Sequence, residues 1–152
     1  MDQLRLRPVL PTETMLLKDY VRDYYRYDQL LYSSKVETAL HLLVTDNSLG
    51  LAWFIVLGDL TCGYVILTSG FDCEYGGKFG LITDFFLLEE YRGRGIGKQA
   101  LQLVIDEATS RGFQAIELAV THKNDRAKAL YRSMEFEPLL DRSTMLRNLT
   151  VS

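Results

Sequence analysis

Two different spacings of apolar residues divide the chain into predicted strands and helices. The first segment, "LRLRPVL", alternates leucine with arginine from Leu4, which is typical of a strand, and Pro8 ends that strand. Between residues 12 and 27, apolar side chains recur every three or four positions, as they do on one face of a helix. A second helix is predicted from Ser34, because Ser34 and Glu37 have the spacing of a capping box ahead of another apolar face.

The middle of the chain contains long apolar runs that glycines interrupt. "LAWFIVL" and "TCGYVILTSGF" flank Gly58 and Asp59, which predicts an antiparallel hairpin. Gly76 and Gly77 predict another turn, and the run "LITDFFLL" after it predicts a strand over residues 81–88. These runs predict that the strands before the next helix are antiparallel.

A glycine-rich stretch leads from this last strand into a third helical pattern. The apolar residues on one face of that helix are Ile96, Ala100, Leu101, Val104 and Ala108. Gly112 follows the last turn, where a C-terminal cap is expected, and "AIELAV" then predicts a strand over residues 115–120. A helix that joins two strands of one sheet in this way implies that they run parallel.

The end of the chain predicts one more helix and two weak strands. Asn124 or Asp125 can cap the helix, and the weak strands are predicted over residues 137–140 and 144–149. The predicted fold class is therefore α/β: a mixed, mostly antiparallel central sheet, one parallel βαβ unit and helices on both faces. Since no linker or repeat divides the chain, we expect a single domain over residues 1–152.

Composition and charge exclude several classes of function. The chain has 152 residues, of which 47% are hydrophobic and 24% are charged, a balance typical of one globular domain. A formal net charge of -3 leaves no basic excess for general nucleic-acid binding. No apolar run reaches the roughly 18 to 20 residues of a membrane span and the N-terminus lacks a signal-peptide pattern, so we expect a cytoplasmic protein that binds neither nucleic acid nor membrane. The two cysteines, Cys62 and Cys73, lack metal-ligand spacing, and we expect no metal site.

The glycine-rich stretch "EEYRGRGIGKQAL" raises the question of a phosphate site. The dinucleotide fingerprint G-x-G-x-x-G requires a glycine where Lys98 stands. The Walker pattern requires a glycine where Arg92 stands and a serine or threonine in place of Gln99. Both nucleotide motifs therefore fail. The pattern R-x-x-G-x-G is met by Arg92, Gly95 and Gly97, between an apolar strand and the start of a helix.

Two motifs, in order along the chain, resemble the GNAT superfamily of N-acyltransferases. "ITDFFLLEEYRGRGIGKQAL" resembles its acyl-CoA-binding motif, and "NDRAKALYRSMEF" resembles its N-x-x-A-x-x-x-Y-x-x-x-G-F segment. The resemblance implies an enzyme that transfers an acetyl group from acetyl-CoA to a primary amine of a small molecule, by direct attack in a ternary complex. Two alternatives stay open: a protein or peptide N-acetyltransferase, and a non-catalytic acyl-CoA-binding sensor. Similar proteins are commonly dimers, so the resemblance leaves the oligomeric state open between a monomer and a homodimer.

The physical chemistry of the glycine-rich stretch agrees with this resemblance. A helix N-terminus presents unpaired N–H groups and about half a unit of positive charge, which favours pyrophosphate. Glycines let the backbone approach phosphate closely, and arginines can add charge-assisted hydrogen bonds; the alternative is a plain glycine turn with solvated arginines. The cofactor-binding residues that the resemblance implies are Phe86, Leu87, Leu88, Arg92, Gly93, Arg94, Gly95, Ile96, Gly97, Lys98, Asn124, Ala127 and Tyr131.

Amine acetylation also needs groups that move protons. A lysine-like amine has a pKa of about 10.4 and must lose a proton before it attacks, while the departing thiolate gains one. Asp84 is the only ionisable side chain of its predicted strand, and the resemblance places it where family members carry a carboxylate base. The alternative is a structural aspartate paired with an arginine or with backbone amides. Tyr131 matches the family's general acid, and it also lies on the apolar face of its helix, as a core tyrosine would.

One departure from the family pattern concerns the end of that helix. Glu135 stands where the family usually has glycine. A glycine there would end the helix in a left-handed conformation, which costs a residue with a Cβ about 1 to 2 kcal/mol. The departure puts the local cap in doubt rather than the chemistry.

A tyrosine-rich segment is the candidate for acceptor binding. "YVRDYYRYDQLLY" includes Tyr24 and Tyr27, whose rings could bind a cationic amine at about 0.5 to 2 kcal/mol per contact. Asp84 is the third candidate substrate-binding residue. The alternative is that these rings pack in the core or between helices, and both interpretations stay open from the sequence.

Overall fold

The structure, a computed structural model, describes residues 3–150 and divides into two compact units, one that ends at Ala119 and one that begins at Val120. The first unit is built on a five-stranded sheet whose strands lie side by side in chain order. Neighbouring strands are antiparallel except for the last pair, which is parallel, and this confirms the predicted mixed sheet. The strands are β1 (Leu4–Pro8), β2 (Gly50–Leu57), β3 (Leu60–Asp72), β4 (Gly77–Leu87) and β5 (Ile116–Leu118).

Four α-helices are formed within residues 3–150. The first unit contains α1 (Thr14–Tyr27), α2 (Ser34–Thr45) and α3 (Ile96–Ser110). The second unit contains α4 (Asp125–Ser133). Short 3-10 turns at Pro11–Glu13 and Glu89–Tyr91 precede α1 and the glycine-rich loop.

One face of the sheet packs against α1 and α2. The side chains at three-to-four spacing on both helices are buried there, as the periodicity predicts. The main members of this core are Leu17, Val21, Leu40, Leu43, Phe54, Val56, Tyr64, Ile66 and Phe86. The candidate site lies on the same face.

The helix α3 belongs to the opposite face and lies against β1. Its buried residues are the five that the sequence predicts, Ile96, Ala100, Leu101, Val104 and Ala108. Gly112 has a φ of 80°, and the next residue, Phe113, donates its N–H to the carbonyl oxygen of Ala108 at 3.1 Å. Gly112 therefore ends the helix as predicted.

A bulge in β4 decides which face carries its polar side chain. Asp84 pairs with Ile66 of β3, but Leu67, the next residue of β3, pairs with Ile82, so Thr83 has no partner position. One extra residue reverses the alternation of side chains along a strand. Asp84 therefore faces α1 and α2 together with Ile66, while Ile82 faces the opposite side.

The predicted capping box at the start of α2 is wrong. Ser33 rather than Ser34 is the N-cap, and no side chain caps the helix. The carboxylate of Glu37 instead accepts hydrogen bonds of 3.0 Å from Arg22 and 3.0 Å from the Tyr32 hydroxyl. These contacts between elements replace the local cap that the sequence suggests.

The second unit departs from prediction after α4. Residues 135–150 contain no strand, so the weak strands predicted over 137–140 and 144–149 are wrong. Leu140 and Met145 are 91% and 93% exposed. Without burial of apolar surface, nothing offsets the entropy that ordering a strand would cost.

Candidate active site

The strand β4 has two halves with different neighbours. β5 pairs with it from Gly80 to Ile82, while β3 continues alongside it as far as Leu87. Past the bulge, no strand of the described chain pairs with β4 on the β5 side. An unpaired edge of this kind can hydrogen-bond an extended ligand.

Asp84 lies at the start of this unpaired half. It is 7% exposed, and the hydroxyl of Tyr64 donates a hydrogen bond of 2.7 Å to its Oδ2. The hydroxyl of Thr83, the bulged residue, also hydrogen-bonds the carboxyl group. The predicted alternative of an arginine partner is not met, because the ion pairs within residues 3–150 do not include Asp84.

The environment of Asp84 makes its carboxyl group easier to protonate. Burial raises its pKa above the ordinary value, and the hydrogen bonds from Tyr64 and Thr83 oppose that rise in part. Burial next to the carboxylate raises the pKa of Tyr64 far above its usual range, so the phenol keeps its proton. A buried carboxylate that is held by hydroxyls, with no cation among its partners, is costly to maintain and is typical of a functional site.

Aromatic rings surround this carboxylate on the α1 side. The ring of Tyr24 lies 5.7 Å from Phe86 and 6.3 Å from Tyr64, measured between centroids. Tyr27 lies 6.2 Å from Phe86 and is 59% exposed. Tyr24 therefore packs on the core, and Tyr27 lies at the solvent edge of the same group, which we call the aromatic cluster (Tyr24, Tyr27, Tyr64 and Phe86).

Arg92 connects the end of β4 to α1. Its Nε donates to the carbonyl oxygen of Leu87 at 2.9 Å. Its guanidinium carbon lies 4.3 Å from the ring centroid of Tyr27 and 5.3 Å from that of Phe86. The arginine that the motif predicts for phosphate binding thus lies against the aromatic cluster.

The glycine-rich loop enters α3 through two left-handed residues. Gly93 has a φ of 73°, and Gly95, the N-cap of α3, has a φ of 78°. No side chain caps α3, so the N–H groups of its first turn, which includes Gly97, have no capping partner. Arg94 is exposed beside the loop, with its guanidinium carbon 5.8 Å from the ring centroid of Tyr91. A loop with this geometry can hold an anion.

The other cofactor candidates of the first unit differ in exposure. Ile96 is buried, so its backbone alone can face a ligand, whereas Lys98 is exposed on the first turn of α3. Leu87 and Leu88 are half-buried, and the N–H of Leu88 donates to the carbonyl oxygen of Cys62 at 2.8 Å.

The second unit contains the remaining candidates. Asn124 caps α4 as predicted, since its Oδ1 accepts the N–H of Ala127 at 3.1 Å. Tyr131 is half-buried, and its ring lies 6.0 Å from that of Phe136. Glu135 has a φ of 69°, which confirms that a non-glycine residue occupies the left-handed position at the end of the helix.

The sequence did not single out Tyr64. It lies in the apolar run of β3, where a tyrosine looks like any other core residue. Its partner Asp84 is 20 residues away and belongs to the next strand. Only the register between β3 and β4 brings the two side chains together.

Comparison with known proteins decides the family. A family model described as the acetyltransferase (GNAT) family matches residues 14–136. The chain belongs to this family. This GNAT protein is therefore an N-acetyltransferase by class, and GNAT enzymes use acetyl-CoA.

Curated relatives of the GNAT chain carry related names. An uncharacterised N-acetyltransferase of Archaeoglobus fulgidus is 27% identical over 118 residues, which cover 76% of this chain and 80% of that protein. The thialysine N-epsilon-acetyltransferase of Bos taurus is 33% identical over 84 residues, or 55% of this chain and 49% of that one. The second similarity thus spans about half of each protein.

Solved structures share the fold of the GNAT chain. An integron cassette protein from the mobile metagenome of Cole Harbour Salt Marsh aligns with a TM-score of 0.82 and 26% identity, over 97% of this chain and 91% of that one. An aminoglycoside N-acetyltransferase, AAC(6')-Iy in complex with CoA, aligns with a TM-score of 0.79 at 13% identity, over 99% and 97% of the chains, which supports the fold alone. No helix within residues 3–150 has the length and apolarity needed to cross a membrane.

Proposed function

We propose that this GNAT protein transfers an acetyl group from acetyl-CoA to the primary amine of a small molecule, by direct attack in a ternary complex. The observation that carries the proposal is the buried carboxylate of Asp84, held by hydroxyls at the start of the unpaired half of β4. The carboxylate, the aromatic cluster and the glycine-rich loop all belong to the first unit. The cytoplasmic location stays a prediction, and the oligomeric state stays open between a monomer and a homodimer.

The glycine-rich loop fits the pyrophosphate of acetyl-CoA. The backbone N–H groups from Gly93 to Gly97 would hold the phosphates, because the helix N-terminus is uncapped and favours negative charge. The N–H of Arg92, expected from the sequence to belong to this set, instead donates to the carbonyl oxygen of Glu89 at 3.1 Å. A Cβ at Gly95 would meet open space, so the need for glycine there comes from its φ of 78°. The exposed Arg94 and Lys98 would add positive charge. The unpaired edge of β4 near Leu87 would hydrogen-bond the extended pantetheine arm.

Asp84 would act as the base toward the acceptor. Acetyl-CoA, when bound, supplies an activated acetyl thioester. Asp84 takes up the proton that the acceptor nitrogen loses as its bond to the acetyl carbon forms, either directly or through one water. Its raised pKa makes it a stronger base than an exposed aspartate while it is ionised.

Tyr131 would act as the acid. Its hydroxyl donates a proton to the sulfur as the carbon–sulfur bond breaks, which avoids the release of a free thiolate. Asn124 and Ala127 would assist through the start of α4, where the side chain of Asn124 orders the first turn.

The acceptor side favours a compact cation. The carboxylate of Asp84 has no cationic partner among the described residues, and the rings of Tyr24 and Tyr27 lie on the same side of the sheet. A protonated amine would supply the missing charge and gain cation–π contact with the rings. The similarity to a thialysine acetyltransferase also favours a small amine over a peptide.

Two experiments test the proposal in order. A thermal-shift titration with acetyl-CoA should raise the apparent stability by about 2.7 kcal/mol when the ligand reaches about 100 times its dissociation constant. The absence of any thermal shift would contradict both the hypothesis of an acetyl-CoA-dependent enzyme and that of an acyl-CoA-binding sensor. A thiol-release assay over polyamines, amino acids, aminoglycosides and peptides should then show turnover with a small amine; turnover with peptides alone would favour the protein acetyltransferase, and binding without turnover would favour the sensor.

A further inference from the structure

Tyr64 and Asp84 form a buried pair on the face of the sheet that holds the proposed site. The hydroxyl of Tyr64 donates to Oδ2 of Asp84 at 2.7 Å. Tyr64 is 0% exposed, so its hydroxyl cannot exchange this partner for bulk water. Its ring is fixed by Tyr24 and Phe86, with centroids 6.3 Å away in each case.

We propose that Tyr64 is a positioning residue for Asp84, which holds the carboxylate in one orientation and keeps it ionised in a buried site. The inference rests on the proposed role of Asp84 as the base. Tyr64 belongs to neither of the two motifs that carry the family resemblance.

The chemistry of the pair allows Tyr64 to donate a hydrogen bond without taking part in proton transfer. Burial beside the carboxylate raises the pKa of Tyr64 far above its usual range, so the phenol stays protonated through the working range of pH. A donor to a carboxylate stabilises the ionised form, whereas burial favours the protonated form. The phenol therefore offsets part of the effect of burial and leaves proton uptake to Asp84.

Among residues 3–150, the polar and titratable groups that bear on Asp84 are hydroxyls and tyrosine rings. Thr83 of β4 and Tyr64 of β3 hydrogen-bond the carboxyl group. From α1, Tyr25 has a pKa that burial raises first and the charge of Asp84 raises further, and Tyr24 packs against Tyr64. No lysine, arginine or histidine of the described chain contributes to the pKa of Asp84. The Tyr64 hydroxyl thus stabilises the negative charge of Asp84 in place of the cation that usually pairs with a buried carboxylate.

The test is the pH dependence of kcat/KM in Tyr64→Phe. Phenylalanine keeps the ring contacts and removes only the hydroxyl. A charge-assisted hydrogen bond to a buried carboxylate corresponds to about one pKa unit or more, so the acid limb of the profile should move to higher pH by about that amount. Tyr20→Phe is the matched control, because Tyr20 is a half-buried tyrosine of α1 whose hydroxyl bonds Thr61 instead. An acid limb of Tyr64→Phe that coincides with those of wild type and Tyr20→Phe would overturn the inference.

Two further measurements keep the result decisive. Carbon-13 NMR titration of the Asp84 carboxyl group in the ligand-free protein should show the same upward shift in Tyr64→Phe. Replacement of Tyr64 by 3-fluorotyrosine strengthens the phenol as a donor, and should move both the titration and the acid limb to lower pH. A titration that does not respond to either change would contradict the proposed role.

Asp84→Asn separates the inference from the proposed function. If Asp84→Asn keeps wild-type turnover, then the base assignment is wrong and the inference falls with it. If Asp84→Asn loses turnover while Tyr64→Phe leaves the acid limb unmoved, the base assignment stands and only the role of Tyr64 is wrong. Loss of turnover together with the upward shift supports both.

Discussion

The guanidinium carbon of Arg92 lies 4.3 Å from the ring centroid of Tyr27, so the first residue of the R-x-x-G-x-G motif touches the last residue of α1. The same side chain is fixed by its Nε hydrogen bond to the carbonyl oxygen of Leu87. One arginine therefore joins the proposed cofactor loop to the helix on the acceptor side.

The contact between Arg92 and Tyr27 should be measurable as a coupling energy. In a double-mutant cycle of Tyr27→Leu and Arg92→Gln, urea unfolding should give a coupling of about 0.5 to 1 kcal/mol, the usual size of a cation–π pair near solvent. Arg94→Gln is the matched control, since Arg94 is exposed and should change stability by less than about 0.5 kcal/mol. Additive free energies in the cycle would show that the two side chains do not interact.

Asp84→Asn should stabilise the protein at neutral pH. Burial raises the pKa of Asp84 in the folded state above its unfolded value, so the folded chain binds more protons between the two values. The free energy of unfolding then falls as pH rises through that window. Above it, the buried ionised carboxylate continues to destabilise the folded state. We expect a gain of about 0.5 to 2 kcal/mol in the free energy of unfolding at pH 7, measured by urea denaturation.

The pH dependence of that gain is the sharper part of the prediction. Below about pH 4, where an unfolded aspartate is itself protonated, the advantage of Asp84→Asn should vanish. Asp59→Asn is the matched control, because it changes an exposed carboxylate in the hairpin turn and should alter the free energy of unfolding by less than about 0.5 kcal/mol at pH 7. A gain of equal size at pH 3 and pH 7 would mean that ionisation of Asp84 is not its source.

Glu135→Gly should stabilise the second unit. Glu135 has a φ of 69°, and its N–H donates to the carbonyl oxygen of Arg132 at 3.0 Å, as the residue after a helix does in a left-handed cap. Release of the left-handed strain is worth about 1 to 2 kcal/mol, less about 0.5 to 1 kcal/mol for the greater entropy of glycine in the unfolded chain. A net gain of about 1 kcal/mol should follow in thermal or urea unfolding. Glu135→Ala retains a Cβ and should give no such gain. Equal effects of the two changes would show that left-handed strain at residue 135 is not the source of the stabilisation.

Tyr131→Phe should lower turnover. The hydroxyl is the group proposed to protonate the leaving sulfur, and general acid catalysis typically contributes about 10² to 10⁴ in rate. The ring contact with Phe136 survives the change, and the melting temperature of the variant, measured beside that of the wild type, separates loss of the acid from loss of stability. Full turnover in Tyr131→Phe, measured by thiol release at saturating acetyl-CoA, would rule out the acid role.

Local patterns in the sequence predict the parts of this fold that depend on neighbours along the chain. The five buried residues of α3 follow from their spacing, and Gly112 ends the helix because its own φ requires glycine. Asn124 caps α4 through the N–H of Ala127, three residues away. Each of these features is fixed within one or two turns of chain.

Features that depend on contact with a neighbouring element cannot be predicted from local sequence patterns. The capping box at Ser34 fails because Glu37 is engaged by Arg22, which belongs to another helix. The pair of Tyr64 with Asp84 depends on how β3 and β4 are registered. The strands expected at the end of the chain fail because no sheet edge buries their apolar side chains within the second unit.

The bulge at Thr83 divides β4 into two parts whose side chains alternate between the faces of the sheet in opposite order. Before Thr83 the odd-numbered residues face α1 and α2, and after it the even-numbered residues face them. The alternation therefore reverses at a single position. Regular pairing through this point, with Thr83 opposite Ile66 and no bulge, would put Asp84 and Phe86 on the face of α3. The single extra residue therefore decides which side of the sheet carries the proposed base, a far larger effect than that of any one side chain.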